Sequence, residues 1–275
     1  MSVITTINPN KALWEKGDFT RLAATMRESG DELIESLGVR PGMEVLDLGC
    51  GDGTTAIPSA QRGANVLGVD IAANLVAAGN IRAREAGLDN LRFEEGDASS
   101  LDGIGDDRYD LLVTILGAMF APRPFDTAAE MVRVVKPGGR IVMGNWIPGD
   151  PTLIASILKI SATYTPPPPE GFVSPVSWGQ EELVRERFAA AGIADANIRC
   201  ERATYTFRYA APPSQFLAIF RDYYGPTMNA FASAAQDGRE AALQAELSRL
   251  FETENCGGAF RTEMPATYLK VTVTK

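Results

Sequence analysis

The stretch Val45–Ala56, VLDLGCGDGTTA, decides the fold. Val45 to Leu48 is an apolar run interrupted only by Asp47, and Gly49, Gly51 and Gly53 follow at once. Glycine lets a chain turn sharply out of a buried strand and pass close to a ligand, and the segment behind these glycines reads as a helix. A strand, a glycine turn and a helix in this order put the turn at the carboxyl edge of an open α/β sheet, where such sheets bind ligands.

The same alternation continues outward. MEVLDLG, ANVLGVD, LRFEEGD, YDLLVTIL and GRIVMGNW are short apolar runs separated by TTAIPSAQRG, AANLVAAGNIRAREAG and PFDTAAEMVRVVKPGG. The intervening segments repeat apolar positions at helical spacing and end in Gly or Pro-Gly-Gly. A further helix near 179–191 and the strand-like NIRCERATYTFRY and ATYLKVTVTK complete the plan. The pattern predicts an α/β fold: a doubly wound, Rossmann-like, mostly parallel seven-stranded sheet with helices on both faces. Residues 1–275 read as one domain with a core at 40–146.

Two segments break the alternation. Residues 147–177 are rich in proline, including Pro166 to Pro169 in a row, and 212–255 are helical and rich in aromatics. Connections this long and apolar are usually functional, so these insertions, with the helical stretch from Asn10 to Leu37, are expected to form a cap over the ligand crevice.

Composition narrows the chemistry. No run of about 18 apolar residues is present, and MSVITTINPNKALWEKGDF has no basic segment followed by an apolar one, so neither a membrane span nor a signal peptide is expected. The expected location is the cytoplasm. Cys50, Cys200 and Cys256 lie far apart and in odd number, which fits reduced thiols. The chain has no histidine, which removes imidazole bases and metal ligands, and no metal is expected. A net charge of -9 without any basic run disfavours nucleic acid.

The turn itself disfavours two ligands. A phosphate-binding loop would need Lys before its Ser or Thr, and Gly53 is followed directly by Thr54 and Thr55. The dinucleotide fingerprint would need a third glycine where Thr54 stands. Asp47 and Asp52 would also oppose a pyrophosphate at the helix start, whereas a cationic or zwitterionic ligand would be tolerated.

At this point the residues carry a family likeness. VLDLGCGDG resembles the first signature motif of the class I S-adenosylmethionine-dependent methyltransferases, VLGVD their acidic second-strand end, EEGDASSL their adenine-contact turn and RVVKPGGRIVM the entry to their fifth strand. The likeness covers about residues 40–146 and is nearest to the small-molecule branch that includes ubiquinone and menaquinone biosynthesis enzymes. It implies S-adenosylmethionine as cofactor, with Gly49 and Gly51 against its methionine portion and Asp47 supporting its amino group directly or through water. Asp70 would bind the ribose hydroxyls with Ile71 beside it, Asp97 and the Ala98 amide would read the adenine edge, and Leu116 would line the adenosyl crevice. Taken singly, Asp70 and Asp97 read as helix caps; taken together, at successive strand ends around one crevice, they read as ligand contacts.

Methyl transfer needs alignment and exclusion of water more than a base, and the sequence singles out no catalytic residue. The expected partner is a small, fairly apolar methyl acceptor of unassigned atom type, with Trp14, Phe120 and Trp146 facing it. A binding protein that holds the adenosyl ligand without turnover, and an NAD-linked oxidoreductase, are the competing readings.

Overall fold

The computed structural model describes residues 10–275; the first nine residues, and with them part of the stretch read for a signal peptide, lie outside the described residues. Seven strands form one sheet: β1 (Glu44–Leu48), β2 (Asn65–Asp70), β3 (Leu91–Glu95), β4 (Tyr109–Ile115), β5 (Val135–Trp146), β6 (Ile198–Tyr209) and β7 (Thr262–Thr274). Their order is β3-β2-β1-β4-β5-β7-β6, with β7 antiparallel to both neighbours and the remaining pairs parallel. The chain therefore starts at the centre, winds to one edge, returns, and winds to the other. The switch of direction falls between β1 and β4, where the carboxyl ends of the strands open a crevice.

The apolar runs are continuous because both faces of the sheet are covered. Leu46, Leu48, Leu112, Ile141 and Met143 point into one core, while Val45, Leu111, Val113 and Val142 point into the other. Helices α4 (Ala56–Gln61), α5 (Ala73–Glu85), α6 (Pro124–Val134) and α8 (Glu181–Ala190) are the coverings, and α7 (Leu153–Ala162) precedes α8 in the first insertion.

The sequence places a turn at Pro137–Gly139 before β5. The structure has α6 stop earlier, at Val134, and absorbs these residues as a bulge within β5. Tyr109 pairs with Val135 but Leu111 pairs with Arg140, so the extra residues loop out, with Gly138 at φ +78°. The Gly138 amide donates to the carbonyl of Lys275, which pins the chain's last residue there.

Ahead of β1 stand α1 (Lys11–Trp14), α2 (Thr20–Ala23) and α3 (Arg27–Ser36). The second insertion folds as α9 (Pro213–Tyr223), α10 (Gly225–Gln236) and α11 (Glu240–Glu254). These pack with α7 around Phe216, Phe220 and Phe251, whose rings lie 5.2–5.7 Å apart. The N-terminal segment rests on this layer: Gly225 abuts the Leu13 carbonyl and Gly17 abuts Tyr223 and Met228.

Two seams hold the glycine turn. At the first, Gly49 (φ +67°) lies backbone-on-backbone against Gly117 after β4; a Cβ on Gly117 would sit 2.4 Å from the Gly49 carbonyl oxygen. At the second, Phe93 is wedged against Gly53, Gly68 and Gly79, each of whose added Cβ would fall within 2.6–2.7 Å of its ring. Because Gly117 has an ordinary φ of -102°, the penalty for substitution there is steric alone. Gly117→Ala is expected to cost about 1–3 kcal/mol of unfolding free energy through overpacking, measured by urea denaturation.

Candidate cofactor site

A cavity opens over the carboxyl ends of β1, β2 and β4. Its floor is the glycine turn from Leu48 to Asp52 with Thr54 and Thr55, and its side wall is Asp70, Ile71 and Leu75. Gly96, Asp97 and Ala98 form one end, and Ile115 to Ala118, Phe120 and Ala121 form the opposite wall. Gly49 and Gly51 take φ of +67° and +55°, a region open to glycine at no steric cost. Leu116 at φ +63° adopts the same region against its intrinsic preference, held by its amide bond to the Gly144 carbonyl at 2.9 Å.

Asp70 is positioned by backbone on both sides. Its Oδ2 accepts from the Gly51 amide at 2.8 Å and its Oδ1 from the Ala72 amide at 2.9 Å, so the carboxylate ties the glycine turn to the start of α5 while lining the cavity. Burial raises its pKa against these hydrogen bonds. The Asp97 Oδ1 accepts from the Ser99 amide at 2.8 Å, a local turn that turns the backbone of Asp97 and Ala98 along the cavity end.

The roof is the N-terminal segment. Asn10, Trp14, Phe19 and Met26 face the cavity, and Trp14 meets Phe120 edge-on at 4.7 Å and Phe19 at 5.5 Å. This strap is fastened at three places: the Asn10 amide to the Phe120 carbonyl, Lys11 to Glu95 at the end of β3, and Glu15 to the Ala73 amide at the start of α5.

Four expectations change against this geometry. Trp146 does not line the cavity; it is buried in the core, stacked near Phe207 at 6.4 Å, because β5 runs on past the crevice before its last residue. Asp47 also lies outside the lining, beneath the turn, where its Oδ2 accepts the Thr55 hydroxyl at 2.6 Å. Residues 147–177 and 212–255 contribute nothing to the cavity lining; the second of them supports from behind the strap that roofs it. Asp52 is not a bare charge, since its Oδ2 lies 3.1 Å from both Arg27 and Arg82. The electrostatic case against an anionic ligand is correspondingly weaker than the turn's own residues imply.

Tyr205 lines the cavity without any signal in the sequence. By strand order β6 is the far edge of the sheet, but β6 and β7 pair on beyond the end of β5, and this extension bends back onto α3. The Ser29 hydroxyl bonds the Thr206 carbonyl at 3.0 Å, and the Arg208 amide bonds the Thr25 carbonyl at 2.8 Å.

The sequence model of the methyltransferase-domain family matches residues 45–139. An uncharacterized protein of Mycobacterium tuberculosis is 33% identical over 257 residues, covering 92% of this chain and 91% of that protein. This chain belongs to the class I S-adenosylmethionine-dependent methyltransferases. The methyltransferase is also similar to nocamycin O-methyltransferase of Saccharothrix syringae, 26% identical and covering 91% of this chain and 95% of that one. Its fold matches the crystal structure of the YcgJ protein of Bacillus subtilis with a TM-score of 0.57 at 19% identity, over 90% of this chain and 98% of that one. Its cofactor is S-adenosylmethionine. The donor set fits that group: Asp70 presents a carboxylate at the wall, Gly49 and Gly51 leave backbone bare, and among the lining residues no Lys or Arg would repel a sulfonium. No helix among the described residues is long and apolar enough to cross a membrane.

Burial raises the Asp47 carboxyl to about 7, and the nearby Asp70 adds to the shift, against hydrogen bonds from Thr55 and the Ala56 amide. A carboxyl whose folded pKa exceeds its unfolded value binds more protons when folded, so its contribution is complete below about 4 and is lost as pH rises through about 7. Thermal scans of the ligand-free chain over that window should show a shallower loss of stability with rising pH in Asp47→Asn than in the wild type; parallel curves would contradict the shift.

Proposed function

We propose that the methyltransferase transfers a methyl group to a small, largely apolar acceptor through an oxygen atom that is acidic enough to be ionised before it binds. The observation that carries this reading is the roof: Trp14, Phe19, Met26 and Phe120 make its contact surface apolar, no Lys or Arg lines the cavity, and the chain has no histidine to remove a proton. The full-length similarity to an O-methyltransferase supports oxygen as the accepting atom.

Bound S-adenosylmethionine supplies a methyl group already activated by its sulfonium. Asp70 holds the ribose hydroxyls with acceptor capacity left over from its two backbone bonds, since an ionised carboxylate has about four acceptor sites. The bare backbone at Gly49 and Gly51 receives the methionine portion, Asp47 supports the ammonium group from below through water, and Asp97, Ala98, Ile71 and Leu116 surround the adenosyl portion. The strap excludes water, and Trp14 and Phe120 supply aromatic rings that favour a cation and orient an apolar acceptor for in-line attack. Such an acceptor is a phenolate or enolate, for which no protein base is required.

The test is incubation with methyl-labelled S-adenosylmethionine and a panel of apolar phenols and enols beside charged amines. Label should move to members of the first group; transfer to the amines alone would overturn the reading. In parallel, Asp70→Ala should weaken cofactor binding by about 1.5–3 kcal/mol, roughly ten-fold to more than a hundred-fold, by calorimetric titration.

A further inference from the structure

The cofactor's amino-acid tail carries a carboxylate as well as an ammonium group, and the cavity has no Lys or Arg to receive it. Arg27 and Arg82, the basic residues that the structure pairs with the turn, are both engaged with Asp52. Neutral donors must therefore do this work. At the tail end of the floor, the Thr55 hydroxyl is already donated to Asp47.

Of the lining hydroxyls that remain, those of Thr54 and Tyr205, the Tyr205 hydroxyl is carried on a buried side chain. The ring of Tyr205 is 1% exposed and packs edge-on against Tyr268 at 6.1 Å, yet the residue lines the cavity. Its hydroxyl makes no hydrogen bond among the described residues. It also lies at the correct end. A Cβ added to Gly30 would sit 3.0 Å from that hydroxyl and 2.6 Å from the carbonyl oxygen of Thr54, so phenol and glycine turn converge on one point of α3. Gly30 has no side chain at that point, which lets α3 pack this closely against the turn and the phenol.

We propose that Tyr205 is the positioning residue for the cofactor's tail, donating its hydroxyl proton to the tail carboxylate from the extension of β6. The assignment rests on the cofactor placement given above. Burial, and secondarily the charges of Tyr268 and Asp47, push the phenol's pKa upward, so the hydroxyl keeps its proton and remains a donor throughout the neutral range. With Asp47 beneath the ammonium and Tyr205 beside the carboxylate, the two charges of the tail are read by separate side chains, and the sulfonium is held at a fixed distance from the roof.

The test uses three probes that differ in the tail: S-adenosylmethionine, its decarboxylated form and methylthioadenosine, each titrated calorimetrically into wild type and Tyr205→Phe. Loss of one hydrogen bond to a charged acceptor should weaken S-adenosylmethionine binding by about ten-fold or more. Binding of the two probes without a carboxylate should be unchanged, and near-identical melting curves of the ligand-free proteins would show that the fold is intact. Equal affinity of both proteins for S-adenosylmethionine would overturn the assignment, as would a uniform loss across all three probes. A wild-type chain that bound none of the three would instead overturn the cofactor placement.

Discussion

The contact between Gly49 and Gly117 is the constraint on which the rest of the site depends. Two strand ends, β1 and β4, must come together closely enough for backbone to touch backbone, and only residues without side chains permit it. From that contact the glycine turn is directed over β2, where Asp70 holds it by the Gly51 amide, and the wall from Ile115 to Phe120 is brought to the other side of the crevice. The cavity is the space left between two turns that are locked together at their base.

Charge is arranged around this space with little to spare. Three aspartates surround the turn, and each is held differently: Asp70 by two amides, Asp52 at one of its two oxygens by Arg27 and Arg82, and Asp47 by Thr55 at the expense of easy ionisation. Buried carboxylates without such partners would be costly, and pairing them locally lets the cavity itself remain free of basic side chains. The lining that results combines neutral donors and carboxylates, with aromatic rings above.

The turn and the strand ends were legible because their chemistry is local. Gly49, Gly51 and Asp70 announce themselves within a few residues of a strand, and the alternation of apolar runs with helical spacing yields all seven strands. What was not legible depends on distant parts of the chain. Arg27 and Arg82 reach Asp52 from 25 and 30 residues away, and nothing in the turn foretells them. Tyr205 belongs to a strand at the sheet's far edge and arrives only because β6 and β7 outrun β5. The insertions read as a cap because of their length and aromatic content, yet the rings of the second close on one another and back the strap through Tyr224, and the shorter N-terminal strap does the covering.

The wedge of Phe93 among Gly53, Gly68 and Gly79 ties four positions from the turn, β2, α5 and β3 into a single packing unit. A methyl group added at any of the three glycines meets the same ring, so the first such change sets the size that residue 93 can have, and the effects of the others are then measured against a different neighbour. Substitutions at these sites are therefore not additive. Over the history of such a chain Phe93, Gly68 and Gly79 are free to drift only together, and a smaller side chain at 93 is the step that would ease the other two, while Gly53 stays bound to glycine by its φ of +92°.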